Sequence, residues 1–458
     1  MRVIICGAGQ VGWQLARYLS KEGNDVTVID NQASLVARAT DSLDVAGLTG
    51  FASHPDILRE AGAEDAEMII AATYSDEVNM VICQIAHSVF RVPRKIARLR
   101  SQSYLDVIYS DLYQRDHLPI DVVISPEQEV ARAAIQQLSA PSSFEVESFL
   151  DHEITMLGLK IDSDCPVIKT PLRQLTELFP TLASYVAAIR RDGRLFVPKA
   201  EDQIYEGDQI YVFTKTTDIS RTLQVFGKSN LRQERVLIIG GGSIGVRVAS
   251  LLEQQEDRVR CRIIERDRDK AEIAADALER TVVLHGDGLD LDILQEANIA
   301  ATNAVLCVTD DDKTNLLASV RAKSAGAEMS IALINDTSLS SLMKTLDVDA
   351  FLNPRATTVS SILRHIRHGR VRAAYALGDT EAEVMELQTL ANSTIAGQTL
   401  EEIDFPDGAR VVAVRKGKSV FRPTSELRLE DGDIVVVLAM SDAVQIVEAM
   451  FQVGVDFF

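Results

Sequence analysis

The stretch RVIICGAGQVG at residues 2–12 recurs as RVLIIGGGSIG at residues 235–245. In each copy a short run of apolar and β-branched residues leads directly into the glycine pattern G-x-G-x-x-G. An apolar run of this length predicts a buried strand, and glycines at this spacing predict a tight turn into a helix that receives a phosphate at its N-terminus. The sequence therefore predicts two nucleotide-binding units in one chain.

The repeat extends well beyond the glycines and indicates the domain organisation. Gly50 matches Gly286 and Asn79 matches Asn315, in both cases 236 residues apart. A second repeat, 225 residues apart, relates Glu206-Gly207-Asp208 to Asp431-Gly432-Asp433. The order is therefore large, small, large, small. We expect nucleotide-binding domains at 1–124 and 233–352 and smaller domains at 143–227 and 372–458.

Strand and helix patterns alternate within each large unit, which predicts a parallel sheet with helical crossovers. In the first copy we expect helices at 10–20 and 76–89, and strands at 2–6, 25–30, 45–49, 68–72, 95–99 and 122–124. Helices at 125–142 and 354–367 would connect each large unit to its small one. The predicted fold class is α/β, with two Rossmann-like, doubly wound parallel-sheet domains, each followed by a small α+β domain.

Composition excludes several classes of protein. The 458 residues are 46% hydrophobic and carry 67 acidic against 47 basic side chains, a net charge of −20. Nucleic-acid binding needs clustered cations that this balance does not supply, so no nucleic-acid partner is expected. The longest apolar runs fall short of the ~20 residues that span a bilayer, so no membrane span is expected. Five scattered cysteines predict buried, reduced thiols in a cytoplasmic protein.

The glycines and one acid per copy define the expected cofactor site. The first glycine of each motif allows the tight turn, the second lets the backbone approach a pyrophosphate, and the third brings helix and strand together. Asp30 and Glu265 end the second strand of their copies and would accept hydrogen bonds from ribose hydroxyls. Their charge would repel a 2′-phosphate, which favours NAD(H) or an adenine nucleotide over NADP.

The two copies differ in charge at the carboxyl ends of their strands. Arg98 and Arg100 follow a strand of the first copy, whereas the matching stretch of the second copy has no arginine. The second copy instead has Asp287 where the first has Phe51. We therefore expect the two sites to prefer ligands of different phosphate charge. The predicted cofactor-binding residues are Gly7, Ala8, Gly9, Gln10, Val11, Gly12, Asp30, Thr73, Arg98, Arg100, Gly240, Gly241, Gly242, Ser243, Ile244, Gly245, Glu265, Asp287 and Thr309.

The sequence contains no recognisable reaction centre. None of the seven histidines recurs at matching positions in the two copies, and no catalytic or metal-ligand spacing is present. No catalytic residue and no metal site is therefore expected. Duplicated binding units without a reaction centre favour sensing over catalysis. An NAD-dependent oxidoreductase is the alternative function.

The combination of motifs resembles the tandem RCK (KTN) domains of bacterial Trk potassium uptake systems. The features that carry the resemblance are the glycine-to-acid signature, Gly286-Asp287-Gly288, the matched Asn79 and Asn315, and the acidic Gly-Asp turn of each small unit. The resemblance implies a nucleotide-sensing regulatory subunit, not an enzyme, that gates a membrane potassium-translocating subunit in response to NAD(H) and ATP or ADP. It also implies a homo-oligomer, expected to be a tetramer, that is cytoplasmic and peripheral on the inner face of the cell membrane.

Overall fold

A computed structural model describes residues 1–21, 23–114, 116–140, 142–179, 182, 184–228, 234–255, 259–339, 346, 348–366, 371–377 and 381–452. The predicted domain boundary at residue 233 and the last six residues of the expected fourth domain lie outside this part of the chain. The fold consists of two compact units. One contains Met1–Ala131 together with Asn353–Leu363, and the other contains Arg132–Leu352 and Arg364–Phe458.

The first nucleotide-type sheet has six parallel strands in the order β3-β2-β1-β4-β5-β6. Helices alternate with these strands along the chain, as the hydrophobic pattern predicts. The strands are β1 Arg2–Cys6, β2 Asp25–Asp30, β3 Ala46–Thr49, β4 Met68–Ala71, β5 Arg94–Arg98 and β6 Val122–Ile124. The helices are α1 Gln10–Lys21, α2 Ala33–Ser42, α3 Pro55–Glu60 and α4 Asp76–Ser88, and α5 Pro126–Ser139 leaves the sheet.

The second sheet repeats this topology, with the order β14-β13-β12-β15-β16-β17. Its strands are β12 Arg235–Ile239, β13 Arg260–Glu265, β14 Val282–His285, β15 Ala304–Cys307, β16 Met329–Leu333 and β17 Ala350–Leu352. Its helices are α8 Ser243–Gln255, α9 Arg268–Ala277, α10 Leu291–Glu296 and α11 Asp312–Ser324, followed by α12 Pro354–Ile366. In both sheets the strand order reverses between the first and fourth strands, where doubly wound sheets form a ligand crevice.

Each small domain is an antiparallel five-stranded sheet. The first contains β7 Glu145–Phe149, β8 Ile154–Lys160, β9 Tyr185–Arg191, β10 Arg194–Phe196 and β11 Gln209–Lys215, with helices α6 Leu172–Leu178 and α7 Ile219–Val225. The second contains β18 Val371–Leu377, β19 Ala382–Gln388, β20 Ala409–Lys416, β21 Ser419–Phe421 and β22 Ile434–Met440, with helix α13 Val444–Met450. The predicted α/β class, with a small α+β domain after each parallel sheet, is confirmed.

The two small sheets share one hydrophobic core. Side chains alternate along β11, so that Ile210 and Val212 pack within the first small domain, whereas Tyr211 and Phe213 point into a cluster that contains residues of both domains. Strand β22 alternates in the same way. Polar contacts add to this core: the backbone N–H of Leu150 donates to Glu386 at 2.6 Å. Successive side chains of a strand point to opposite faces of the sheet, so both faces of each small sheet can be buried.

Among the described residues, no helix has the length and apolar character needed to cross a bilayer. The five cysteines are free and buried, as the sequence predicts. Burial raises the pKa values of their thiols, to about 12 for Cys83, Cys261 and Cys307.

Candidate nucleotide-binding sites

The glycine loops follow β1 and β12 and begin with a backbone that only glycine adopts readily. Gly7 has a φ of +110° and Gly240 a φ of +114°. A Cβ on Gly7 would also lie 2.8 Å from the carbonyl oxygen of Ala72 at the end of β4. The third glycine is equally constrained, because a Cβ on Gly12 would lie 1.7 Å from the carbonyl oxygen of Gly7. These contacts bring the loop, β4 and the start of α1 close together.

The second glycine of each loop has no such structural reason to be glycine. A Cβ built on Gly9 or on Gly242 would meet no heavy atom within 4 Å. Both positions lie at the start of a helix, whose first N–H groups lack intrahelical partners. A small residue beside open space at a helix N-terminus leaves room for a phosphate to reach the backbone amides. The protein therefore has a fitting cradle for a pyrophosphate in each copy.

The acid at the end of the second strand holds the glycine loop in place. Asp30 accepts a hydrogen bond from the amide of Ala8 at 2.7 Å and another from the amide of Gln32 at 2.8 Å. Glu265 accepts from Gly241 at 2.6 Å and from Asp267 at 2.8 Å. Each carboxylate oxygen keeps a further lone pair that could accept from a ribose hydroxyl. The acids thus orient the loop, and their contact with a ribose stays a prediction of the sequence.

A buried asparagine connects the ends of the fourth and fifth strands, and the sequence analysis did not assign it to the site. The amide oxygen of Asn79 accepts from the backbone N–H of Thr73 at 2.9 Å and from its hydroxyl at 2.7 Å. Its Nδ2 donates to the carbonyl oxygen of Arg98 at 2.8 Å. Asn315 makes the equivalent bonds to Thr309 and to the carbonyl oxygen of Leu333. The matched position of these asparagines in the repeat was the available signal.

An aspartate at the start of the following helix organises the next loop in both copies. The Asp76 carboxylate accepts from the amides of Arg100 and Ser101, and Asp312 accepts from the amides of Asn335 and Asp336. These bonds set the direction of the chain as it leaves β5 and β16. Asp76 therefore positions the segment that contains Arg100, and Asp312 positions the segment that contains Asn335.

The two arginines of the first site differ in their surroundings. The Nε of Arg98 is buried and has no hydrogen-bond partner among the described residues. Burial, followed by repulsion from Arg100, lowers the pKa of Arg98. The Arg100 guanidinium is 3.3 Å from Glu127 and lies over the ring of Tyr74. An incoming phosphate could accept a hydrogen bond from the Arg98 Nε, which has no partner in the part of the chain that the structure describes, whereas it would compete with Glu127 for Arg100.

The second site has a different set of polar groups. Asp287 is exposed, and its carboxylate accepts from the amide of Leu289 at 2.9 Å. In the first copy the matching Phe51 is 56% exposed, with its ring 5.4 Å from that of His54. Arg247 in α8 also has a buried Nε without a hydrogen-bond partner in the described part of the chain. Arg247 is a cation that the predicted site residues do not include, and the first copy has Gln14 at the matching position.

Two family models match this chain in the order large, small, large, small. The TrkA-N domain matches residues 3–126 and 236–354, and the TrkA-C domain matches residues 156–227 and 384–452. The chain belongs to the TrkA family. The tandem arrangement that the sequence repeat predicts is therefore that of a known family, and the predicted family resemblance is confirmed.

Curated relatives and solved structures agree with this assignment. The chain is 42% identical to the Trk system potassium uptake protein TrkA of Azorhizobium caulinodans over 458 residues, 100% of both chains. It is 34% identical to the protein of the same name from Halomonas elongata, again over 100% of both. The fold is similar to that of the GsuK channel, with a TM-score of 0.61 at 16% identity. The match covers 97% of this chain and 77% of the GsuK chain. The structure of the GsuK channel bound to NAD has a TM-score of 0.59 at 16% identity, covering 98% of this chain and 78% of its own. At this identity the solved structures support the fold alone.

Proposed function

We propose that the protein is the nucleotide-sensing regulatory subunit of a Trk-type potassium uptake system. The observation that carries the proposal is the presence of two phosphate cradles, each with its own acid, in a chain of the TrkA family. Full-length relatives are named as Trk system potassium uptake proteins, and a protein of the same fold has been solved with NAD bound. The ligands proposed are NAD(H) and ATP or ADP.

The residues of each copy would hold the nucleotide in the following way. The amides that follow Gly9 and Gly242 would donate to the phosphate oxygens, and Asp30 and Glu265 would accept from the ribose. Thr73 and Thr309 lie at the end of the neighbouring strand, where Asn79 and Asn315 fix them. In the first copy Arg98 would neutralise an additional phosphate, which favours ATP there. The complete set of predicted cofactor-binding residues remains part of this proposal.

Nucleotide control requires that the ligands differ in their preference for two conformations of the protein. A ligand that binds both conformations equally shifts nothing, however tightly it binds. A coupling free energy of about 1–3 kcal/mol between nucleotide and partner would change the partner's affinity roughly 5- to 150-fold. The glycine loop, the acid and the asparagine link β1, β2, β4 and β5. Occupation of the crevice would therefore act on several strands at once.

The partner in this proposal is the membrane potassium-translocating subunit, which the protein would contact from the cytoplasm as a tetramer. We propose a regulatory role without catalysis, because the relatives are named for potassium uptake rather than for a redox reaction. The alternative of an NAD-dependent oxidoreductase predicts that bound NADH is consumed by a metabolite. Incubation with NADH and a panel of carbonyl metabolites, followed by absorbance, separates the two functions.

The decisive experiment is flux through the reconstituted system. Vesicles containing the potassium subunit should show nucleotide-dependent rubidium uptake only when this protein is added. The Gly9→Val, Gly242→Val double variant should still bind the vesicles but lose the response to nucleotides. Light scattering of the free protein tests assembly, and a monomer at micromolar concentration would contradict the proposed tetramer. If rubidium uptake with the unaltered protein does not change on addition of NADH or ATP, the sensing role is refuted.

A further inference from the structure

The first small domain contains a cavity of about 230 Å³ that the nucleotide hypothesis does not use. It lies between helix α6, the end of helix α7 and the face of the first small sheet that is opposite the shared core. Its interior is apolar, with side chains that include Leu172, Leu175, Phe179, Val186, Val212 and Phe226. The engineered apolar cavity of about 150 Å³ that binds benzene gives a scale for its capacity. Benzene has six non-hydrogen atoms, so in proportion to volume this cavity holds about nine.

Three cations belong to the lining of this cavity, and its described lining contains no carboxylate. Arg173 and Lys199 come from the first small domain, and Arg410 comes from β20 of the second. Arg173 and Lys199 are exposed and Arg410 is half-buried, so positive charge lies towards solvent while the interior is apolar. None of the three forms an ion pair within the described part of the chain. In a protein with a net charge of −20, such a cluster is contrary to the overall balance.

The internal repeat supplies a control, because the second small domain has the same scaffold. The Arg173 amide donates to the carbonyl of Ala200, and the Glu401 amide donates to that of Ser425 in the same way. Arg173 therefore corresponds to Glu401. By the 225-residue offset, Lys199 corresponds to Thr424. The second domain has an acid and a hydroxyl where the first has two cations, so the small-domain fold does not require them.

The third cation, Arg410, contacts Tyr185, which holds the matching position in the first small domain. Tyr185 pairs with Phe213 in the first small sheet, and Arg410 pairs with Leu438 in the second, at the same offset of 225 residues. The Arg410 guanidinium lies over the Tyr185 ring, 5.6 Å from its centroid. Burial raises the pKa of Tyr185, and the charge of Arg410 opposes that shift. A ligand in the cavity would therefore contact groups of both small domains.

We propose that this cavity binds a small organic anion with a carboxylate head and an apolar aryl or branched alkyl body. The body would fill the apolar interior, and the carboxylate would lie at the mouth, where Arg173, Lys199 and Arg410 can donate charge-assisted hydrogen bonds. The volume is too small for a long acyl chain. This site goes beyond the proposed nucleotide function and does not depend on it, since none of its residues belongs to the glycine loops.

Calorimetry on the full-length protein with three probes tests the proposal. Phenylacetate has the predicted head and body, phenylacetamide is its neutral counterpart of nearly the same shape, and inorganic phosphate has charge without an apolar body. We expect saturable binding of phenylacetate, at least tenfold weaker binding of phenylacetamide, and no competition from phosphate. Equal affinity for phenylacetate and phenylacetamide, displacement by phosphate, or no saturable binding of phenylacetate would overturn the proposal.

Variants locate the binding to this cavity. Arg410→Gln and Lys199→Gln should each weaken phenylacetate binding about tenfold, the loss expected for one charge-assisted hydrogen bond. Lys418→Gln, at an exposed position outside the cavity, is the matched control and should bind normally. Val225→Phe should block both aromatic probes by filling the interior. Unchanged phenylacetate affinity in Arg410→Gln, Lys199→Gln and Val225→Phe would refute the site. NADH binding, measured in parallel, should be the same in all of these variants, so failure here is distinguishable from failure of the nucleotide hypothesis.

Discussion

Replacement of Gly9 by valine should separate ligand binding from folding at the first glycine loop. A Cβ at Gly9 has no heavy atom within 4 Å, so we expect the folded protein to tolerate a side chain there. Valine is a poorer N-terminal cap than glycine, and the expected cost in unfolding free energy is about 1 kcal/mol. The space that valine would fill is the space that a pyrophosphate needs. Loss of one charge-assisted hydrogen bond, about 1.5–3 kcal/mol, would weaken binding roughly ten- to hundredfold.

The chain has a built-in reporter for this measurement. Trp13 is the sole tryptophan and lies in the first turn of α1, with its Nε1 donating to Ser42 at 3.2 Å. The guanidinium groups of Arg17 and Arg38 are 5.7 Å and 5.2 Å from its ring centroid. Reduced nicotinamide absorbs where indole emits, so NADH bound at the first loop should quench the fluorescence of Trp13. Titration with NADH then gives the affinity of the first site directly.

Two further variants make the test strict. Gly242→Val is the equivalent change in the second copy and should leave the Trp13 titration unaltered. Gly12→Ala places a Cβ 1.7 Å from the Gly7 carbonyl oxygen and should lower stability by about 3 kcal/mol, visible as a lower melting temperature. The reasoning is refuted if Gly9→Val titrates like the unaltered protein, or if Gly242→Val alone abolishes the quenching.

Three other predictions concern specificity, phosphate charge and the thiols. Asp30→Ala should weaken NADH binding and narrow the preference for NADH over NADPH, because the charge that repels a 2′-phosphate is gone; in titrations, equal weakening of both would argue against this role. The Arg98→Ala, Arg100→Ala double variant should lose a few kcal/mol of ATP affinity by calorimetry, since each charge-assisted bond contributes about 1.5–3 kcal/mol, with a smaller loss for NADH; a loss confined to NADH would reverse the assignment. Native protein should resist a thiol reagent at pH 8 until it unfolds, because burial raises the pKa of Cys83 to about 12, and rapid modification without unfolding would contradict this. Since the folded pKa exceeds the unfolded one, stability should fall as the pH rises from the ordinary thiol value towards 12.

The elements nearest the glycine loops could be predicted closely from the sequence. The expected strands 2–6, 25–30 and 122–124 coincide with β1, β2 and β6. Short apolar or β-branched runs bounded by glycine or polar residues leave little freedom in where such strands begin and end. The expected strand 95–99 begins and ends one residue too late, since β5 is Arg94–Arg98. Lys95 is buried there and paired with Asp121 at 2.7 Å, a tertiary contact that a local pattern does not reveal.

Other features depend on contacts between distant parts of the chain. The 3₁₀ segment Val107–Tyr113 has no regular hydrophobic period and was not predicted. The segment Asn353–Leu363 follows the second parallel sheet along the chain but belongs to the compact unit of the first sheet. A local sequence pattern cannot show this. Asn79 and Asn315 were visible as matched residues, but their role depends on which strand ends lie side by side. Sequence reasoning therefore predicted the glycine loops better than the hydrogen bonds that position them.

The core shared by the two small sheets makes them behave like a dimer that cannot dissociate. Either domain expressed alone would expose one apolar sheet face, with Phe149, Met156 and Phe213 on the first and Val384, Val436 and Leu438 on the second. Such a fragment should self-associate or aggregate rather than stay monomeric. Because the two small domains are in one chain, each always packs against the other and never against a copy of itself. Their interface therefore does not have to be symmetric. The meeting of Tyr185 with Arg410 at equivalent positions is one outcome of that freedom, since a symmetric dimer would have placed two identical residues there.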